Sequence, residues 1–579
     1  MVTWTKAVQV KKYFTAARRR RGAGGKTRRK KTSAPFANGA ESLKVKARMT
    51  GVFEFFVLLL ALAVFALVAR RLHLPNPILF VLGGLAVSFL PGLPKVRLNP
   101  DLVFLFFLPP LLYPAALFTP WRDFRANLRP IALLAVGLVL FTATAVALLA
   151  HYFMKLPLAA GFVLGAIISP TDAIAATAIA ERLNVPRRIV TILEGESLVN
   201  DATALVAYQF AVAAVVTGSF SLAGAGAQFL IVGAGGIAVG LATGWLAVRF
   251  HQRVDDAPIE ITVSLLTPFV AYLAAERLGV SGVLAVVTTG LALGRRTPEI
   301  IGYRTRLQAG PVWEMVEFLL NGFVFLLIGL QFPEVLRAIH KNPEYSLGWL
   351  TGDALMISVA VILVRIVWVF PATYLPRMIF RNLRAQDPHP DWRHVTIVAW
   401  TGMRGVVSLA AALALGGAFP GRDLILFLTF AVILATLVAQ GLSLPGLIRR
   451  LGIEDDGAAH REEREARLEA NRAALAQLQK NPPQDAARAE AQERLRIEYE
   501  DHIRQLQNAA RRHTSAPERR FSSEYERLSH AALQTERHTL IQLRNRDVIN
   551  DEVLRRIQRD IDLAEIRLQH DPQSTTFGK

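Results

Sequence analysis

Apolar runs of about twenty residues recur from Val52 to Leu447, separated by short polar turns. About 20 apolar residues in a helix cross a bilayer core. The pattern therefore predicts an all-α polytopic membrane protein with about thirteen transmembrane helices. The expected spans are Val52–Val68, Pro77–Leu90, Leu102–Leu117, Ile131–Ala150, Leu158–Ala180, Ile189–Val216 and Phe229–Val248. They continue with Ile259–Ala275, Val280–Leu293, Val312–Leu330, Leu350–Phe370, Val395–Leu415 and Leu424–Leu447. Past Leu447 the chain turns to Ala, Glu, Arg, Leu and Gln, with breakers at Asn481-Pro482-Pro483 and Thr514-Ser515-Ala516-Pro517. That composition predicts a tail of several solvated helices over residues 451–579 without a catalytic motif. Ser522-Ser523-Glu524 is a candidate helix cap within it.

Two spans are interrupted. Ser169-Pro170-Thr171-Asp172 breaks the fifth, because proline lacks a donor and disfavours helix before it. Thr401-Gly402-Met403-Arg404-Gly405 breaks the twelfth. With the Gly-rich seventh span as linker, spans 1–6 and 8–13 make two six-helix repeats of inverted orientation. Each break then falls in the fifth helix of its half. Matched broken helices point to a transporter binding site near the midplane.

Composition fits this reading: 52% of residues are hydrophobic and 19% charged, against about 25% charged in soluble domains. The absence of cysteine excludes disulfides, thiolate metal sites and cysteine nucleophiles. The net charge of +20 is concentrated: residues 1–48 hold fifteen Lys/Arg and one acid. This leader reads as disordered, either as an arm for nucleic acid or anionic lipid or as sequence upstream of a start at Met49. The second reading is preferred, and no nucleic-acid partner is expected. Loops after odd-numbered spans carry eighteen arginines, and the others seven Lys/Arg. The positive-inside rule then puts the C-terminus in the cytoplasm and the N-terminus outside the cell (inner) membrane.

The charges inside the spans carry the chemistry. They are Asp172, Glu196, Asp201, Glu317, Arg365 and Arg404. Such residues are costly in hydrocarbon and usually face a cavity, a partner or an ion. Helical spacing puts Ser197 and Asp201 on one face, and Glu196 and Asn200 on an adjacent one. A hydroxyl and a carboxylate suit a hard cation. Arg365 cannot lose its charge and needs an acid, Glu196 first and Asp172 second. Arg404, in the second break, is placed to offset the negative ends of two half-helices. No partner for Glu317 is apparent. Asp201 is left without a fixed counter-charge. Burial favours its protonated form and a cation its anion, so the two compete for one site. If only the neutralised site crosses, coupled exchange follows. Asn200 leaves one titrating carboxylate in the pair, which predicts exchange of one monovalent cation for one proton with no net charge moved.

Four runs carry a resemblance: Ser-Pro-Thr-Asp (169–172), Glu-Ser-Leu-Val-Asn-Asp (196–201), Glu-Phe-Leu-Leu-Asn-Gly-Phe-Val-Phe (317–325) and Gly-Met-Arg-Gly-Val-Val-Ser-Leu-Ala (402–410). Over residues 51–450 the chain resembles bacterial monovalent cation:proton antiporters of the sodium/proton exchanger branch. The tail runs at 540–546 and 552–556 are similar to bacterial members. The resemblance implies a 49–450 antiporter domain and a homodimer with its interface in 52–117 and 259–330. An ion-translocating core would lie in 131–216 and 350–447, joined by a linker at 229–248. It implies a sodium site of Asp201, Asp172, Ser197 and Thr171, with Glu196 helping to hold it and Asn200, Arg365 and Arg404 in support. No cofactor is implied, and no enzyme activity; sodium (or lithium) and protons are the substrates. Potassium/proton antiport with the same site is the alternative, and a cation channel is the alternative of another class. An intramembrane aspartyl protease would need Gly-x-Gly-Asp, which Leu350-Thr351-Gly352-Asp353 does not supply.

Overall fold

The computed structural model describes residues 37–72, 74–89, 103–218, 221–340, 346–380, 382, 385, 387, 389–453, 457–480, 486–511, 516–546, 548 and 551–569. Every regular element among them is helical. The first half holds α1 (Ala37–Leu72), α2 (Asn76–Ser88), α3 (Leu108–Phe118, entered through a π turn) and α4 (Leu128–Met154). It continues with half-helices α5a (Leu158–Ile168) and α5b (Ile174–Arg182), then α6 (Arg187–Thr217). Next come α7 (Leu222–His251), α8 (Ala257–Leu278), α9 (Gly282–Ile300), α10 (Tyr303–His340) and α11 (Leu347–Ile379). Half-helices α12a (Trp392–Trp400) and α12b (Val406–Leu413) precede α13 (Arg422–Leu451). Eight of these, α1, α4, α6, α7, α8, α10, α11 and α13, are long and apolar enough to cross a membrane, and the chain is an all-α polytopic membrane protein. Their outward faces are apolar, as at Leu230, Trp245, Leu355 and Val367, which suits lipid as the surrounding solvent.

Helices α1, α2, α3, α8, α9 and α10 pack into one group, with α7 lying on α8 and α9. A second group gathers α4, α5a, α6, α11, α13 and the α12 halves, and meets the first along α6–α9 and α10–α13. At Gly84 and Gly329 the α2–α10 seam has no room for side chains. A Cβ on Gly84 would lie 2.2 Å from the Leu326 carbonyl oxygen, and one on Gly329 the same distance from that of Val81. Both clashes are with backbone, which cannot rotate away.

Two sequence expectations change. Residues 37–48, grouped with a disordered leader, begin α1. Their Ala, Glu, Leu, Lys and Arg are good helix formers and extend the apolar helix upstream. Residues 1–36 lie outside the described residues. Ser522-Ser523-Glu524 does not cap a helix but sits inside α16 (Ala516–Asn545), which starts beside Pro517, a residue suited to a first helical turn. The other tail helices are α14 (Ala458–Lys480), α15 (Ala486–Arg511) and α17 (Asp551–Gln569).

Gly329→Val is expected to destabilise the seam by about 1–3 kcal/mol, the usual cost of overpacking. Thermal unfolding of the purified protein in micelles checks this; an unchanged midpoint would refute the tight seam.

Candidate ion site at the crossed half-helices

Helix α5a stops at Ile168 because Pro170 cannot supply the next donor, and α12a stops at Trp400 before the two glycines. The unwound stretches cross, and the Asp172 N–H donates to the Met403 carbonyl at 2.8 Å. Helix α13 satisfies more of this backbone. The Arg404 N–H donates to Thr436 Oγ1 at 3.2 Å, and Gln440 Nε2 to the Trp400 carbonyl at 2.8 Å. Buried backbone polar groups require such partners, more so in an apolar bundle.

Thr171 ties the crossing to α6. Its hydroxyl donates to Glu196 Oε1 at 2.7 Å. Its carbonyl accepts from Ser197 Oγ and from Asn200 Nδ2, each at 3.1 Å. Asn200 Nδ2 also reaches Thr171 Oγ1 at 2.8 Å. Both lone pairs of that carbonyl are engaged in this arrangement, so Thr171 holds α6 through its backbone as well as its hydroxyl. Asn200 faces the crossing and Ser197 the cavity described below, as their positions on adjacent helix faces require.

Glu196 is fully enclosed with Arg365, and is the first of the two acids expected to pair with that guanidinium. Arg365 Nη1 and Nη2 donate to Glu196 Oε1 and Oε2 at 2.5 and 2.8 Å, and Nε donates to the Val398 carbonyl at 3.0 Å. The pair bridges α6, α11 and α12a. Arg404 is equally buried, but its Nε and Nη1 reach no acceptor among the described residues. Any offset it gives to the half-helix ends is through space rather than by hydrogen bonds from those atoms.

The Asp201 side chain has no hydrogen bond or ion pair to another described residue. It lines a cavity of about 430 Å³ together with Asp172 and Ser197. Asp172 Oδ1 accepts from the Ile174 N–H at 2.9 Å. Its other oxygen faces Gly405, where a Cβ would lie 2.1 Å away; only glycine lets α12b approach so closely. Three further acids line the cavity, Glu181, Glu194 and Glu317, with Asn321 beside them. Glu181 is exposed, Glu194 and Glu317 half-buried, and Asp201 buried, so the acids lead inward from the surface to the site. The sequence pattern alone gives Glu317 no partner and does not single out Glu181 or Glu194. Glu194 had a signal: with Ser197 and Asp201 it recurs at three and seven residues, one helical face.

Removing one partner of an enclosed ion pair leaves a bare buried charge, which costs about 3–5 kcal/mol. Arg365→Met is expected to lower stability by that much, and Arg365→Met with Glu196→Leu to recover most of it. Thermal unfolding of both variants in micelles checks the pair, and a neutral single substitution would contradict it.

A profile described as sodium/hydrogen exchanger, transmembrane, matches residues 57–450. The chain is 36% identical over 542 residues to an uncharacterized Na(+)/H(+) exchanger, Rv2287, of Mycobacterium tuberculosis (strain ATCC 25618 / H37Rv), spanning 92% of this chain and 98% of that one. It is 38% identical over 405 residues to the sodium, potassium, lithium and rubidium/H(+) antiporter of Bacillus subtilis (strain 168), spanning 67% and 60% respectively. The solved sodium proton antiporter MjNhaP1 from Methanocaldococcus jannaschii shares the fold, with a TM-score of 0.54 at 20% identity over 70% of this chain and 99% of that one. With the profile spanning most of the membrane part and the mycobacterial relative matching nearly end to end, the chain belongs to the sodium/hydrogen exchanger family of cation:proton antiporters and is a transporter, not an enzyme.

Proposed function

We propose that this chain exchanges sodium or lithium for protons at Asp201, one for one, by alternating access. The observation that carries the reading is a division among buried acids. Glu196 is neutralised by Arg365, whereas Asp201 faces the cavity with no cationic partner among the described residues. A bare carboxylate is costly to carry through an apolar barrier, so a proton or a cation must travel with it. Asp172 and the Ser197 hydroxyl supply further oxygen ligands, while Thr171 and Asn200 hold the crossing in place rather than the ion. One titrating acid that takes either substrate moves no net charge. The cavity reaches Asp201 from the end where α5b stops and α6 starts. The basic loops assign that end to the cytoplasm, which supports an inward-facing state.

The thirteen segments form two inverted six-helix repeats joined by α7, in the cell (inner) membrane, with the N-terminus outside and the C-terminal tail inside. The chain works as a homodimer, with α1–α3 and α8–α10 at the interface and the group containing the crossing as the moving core. The helix grouping supports this division. A second reading, potassium in place of sodium, draws on the Bacillus subtilis relative, whose name includes potassium and rubidium; oxygen ligands alone do not choose between the ions.

Proteoliposomes given sodium, lithium or potassium gradients in turn test both readings. Saturable proton flux is expected with at least sodium and lithium, falling to the level of empty vesicles in Asp201→Asn. The rate is expected not to respond to an imposed membrane potential. Flux of wild-type size in the variant would remove Asp201 from the mechanism, and cation flux without counter-moving protons would favour a channel.

A further inference from the structure

A second cavity, of about 280 Å³, lies in the same helix group at the end where α4 starts, α11 stops and α12a starts. Its wall carries Arg129, Arg188, Arg377 and His394 over an apolar floor that includes Ile192 and Val369. Arg188 Nη2 donates to Asp387 Oδ1 at 2.8 Å, and Arg377 Nη2 donates to Asp387 Oδ2. Burial alone would raise Asp387, but the bonds from both arginines outweigh it and hold the carboxyl below the usual carboxylate range. The guanidiniums of Arg188 and Arg377 therefore share one carboxylate. The guanidinium of Arg129, a half-buried residue, has no hydrogen-bond or ion-pair partner among the described residues.

The cavity does not end there. It shares Arg129 and Leu133 with an open groove of about 630 Å³ on the outer face, lined also by Val136, Gly137, Pro376 and Phe380. The groove follows a π-helical stretch of α4, Leu133–Leu138. Its walls are apolar, and the neighbouring Met378, Ile379 and Phe380 are exposed. A cationic recess thus adjoins an apolar trough, with Arg129 and Leu133 in the wall of both, on a surface that faces lipid.

We propose that this recess and groove bind an anionic phospholipid, with its phosphate at Arg129 and one acyl chain along Val136 and Gly137. The charge excess selects an anion, and the trough selects one with a hydrocarbon chain. Neither the ion site nor its acids take part, so the proposal stands apart from the transport reading.

Native mass spectrometry of the full chain in micelles tests it, with phosphatidylglycerol, phosphatidylcholine and inorganic phosphate titrated separately. Phosphatidylglycerol is expected to be retained preferentially, and Arg129→Ala to weaken that binding about fivefold, the worth of one arginine near an anionic surface. Val136→Trp, which fills the trough without touching the charge, is expected to weaken it as well. Equal retention of the two lipids by the wild type, which needs no variant to fold, would overturn the proposal. So would phosphatidylglycerol binding that neither substitution changes. Displacement by inorganic phosphate together with an unaffected Val136→Trp would mean a free-anion pocket, and would overturn it too.

Discussion

The hydrogen bond from the Asp172 amide to the Met403 carbonyl joins two stretches of unwound chain that an apolar bundle would otherwise expel. Helices satisfy their own backbone; these stretches cannot, so each depends on the other and on α13. Thr171 converts that crossing into a site. By bonding Glu196, Ser197 and Asn200 at once, it fixes the register of α6 against the break. Asp201, one turn beyond Ser197, is thereby held at the cavity without being bonded itself.

The acids of α6 take separate roles because of what each helical face meets. Glu196 turns toward α11 and α12a, where Arg365 closes on it. Asp201 turns toward α12b and the cavity. A charge that is always paired gives rigidity; a charge that is paired only by its cargo gives exchange. Five residues along one helix separate these two behaviours.

Much of this was legible in the chain. Apolar run length gave the helices, and proline and paired glycines gave both interruptions, because these are local properties. The Glu196–Arg365 pair was readable because an enclosed guanidinium must find an acid and few were on offer. The gathering of Glu181 and Glu317 beside Glu194 was not readable, since it depends on how α5b, α6 and α10 converge. Nor was the filled Thr171 carbonyl, which needs the rotamers of two α6 side chains. The π-helical stretch in α4 leaves its hydrophobic pattern intact and so gives no warning. At Ser522 local capping chemistry misleads, because the helix had already begun at Ala516.

The glycine seam between α2 and α10 carries a mechanical corollary. Close-packed interiors transmit strain instead of absorbing it, and two main chains in direct contact have no side-chain cushion to compress. These helices must translate and tilt as a single beam. Any displacement of the neighbouring bundle is then absorbed elsewhere, in connecting turns and at the α6–α9 and α10–α13 boundaries, where no described glycine brings one backbone against the other.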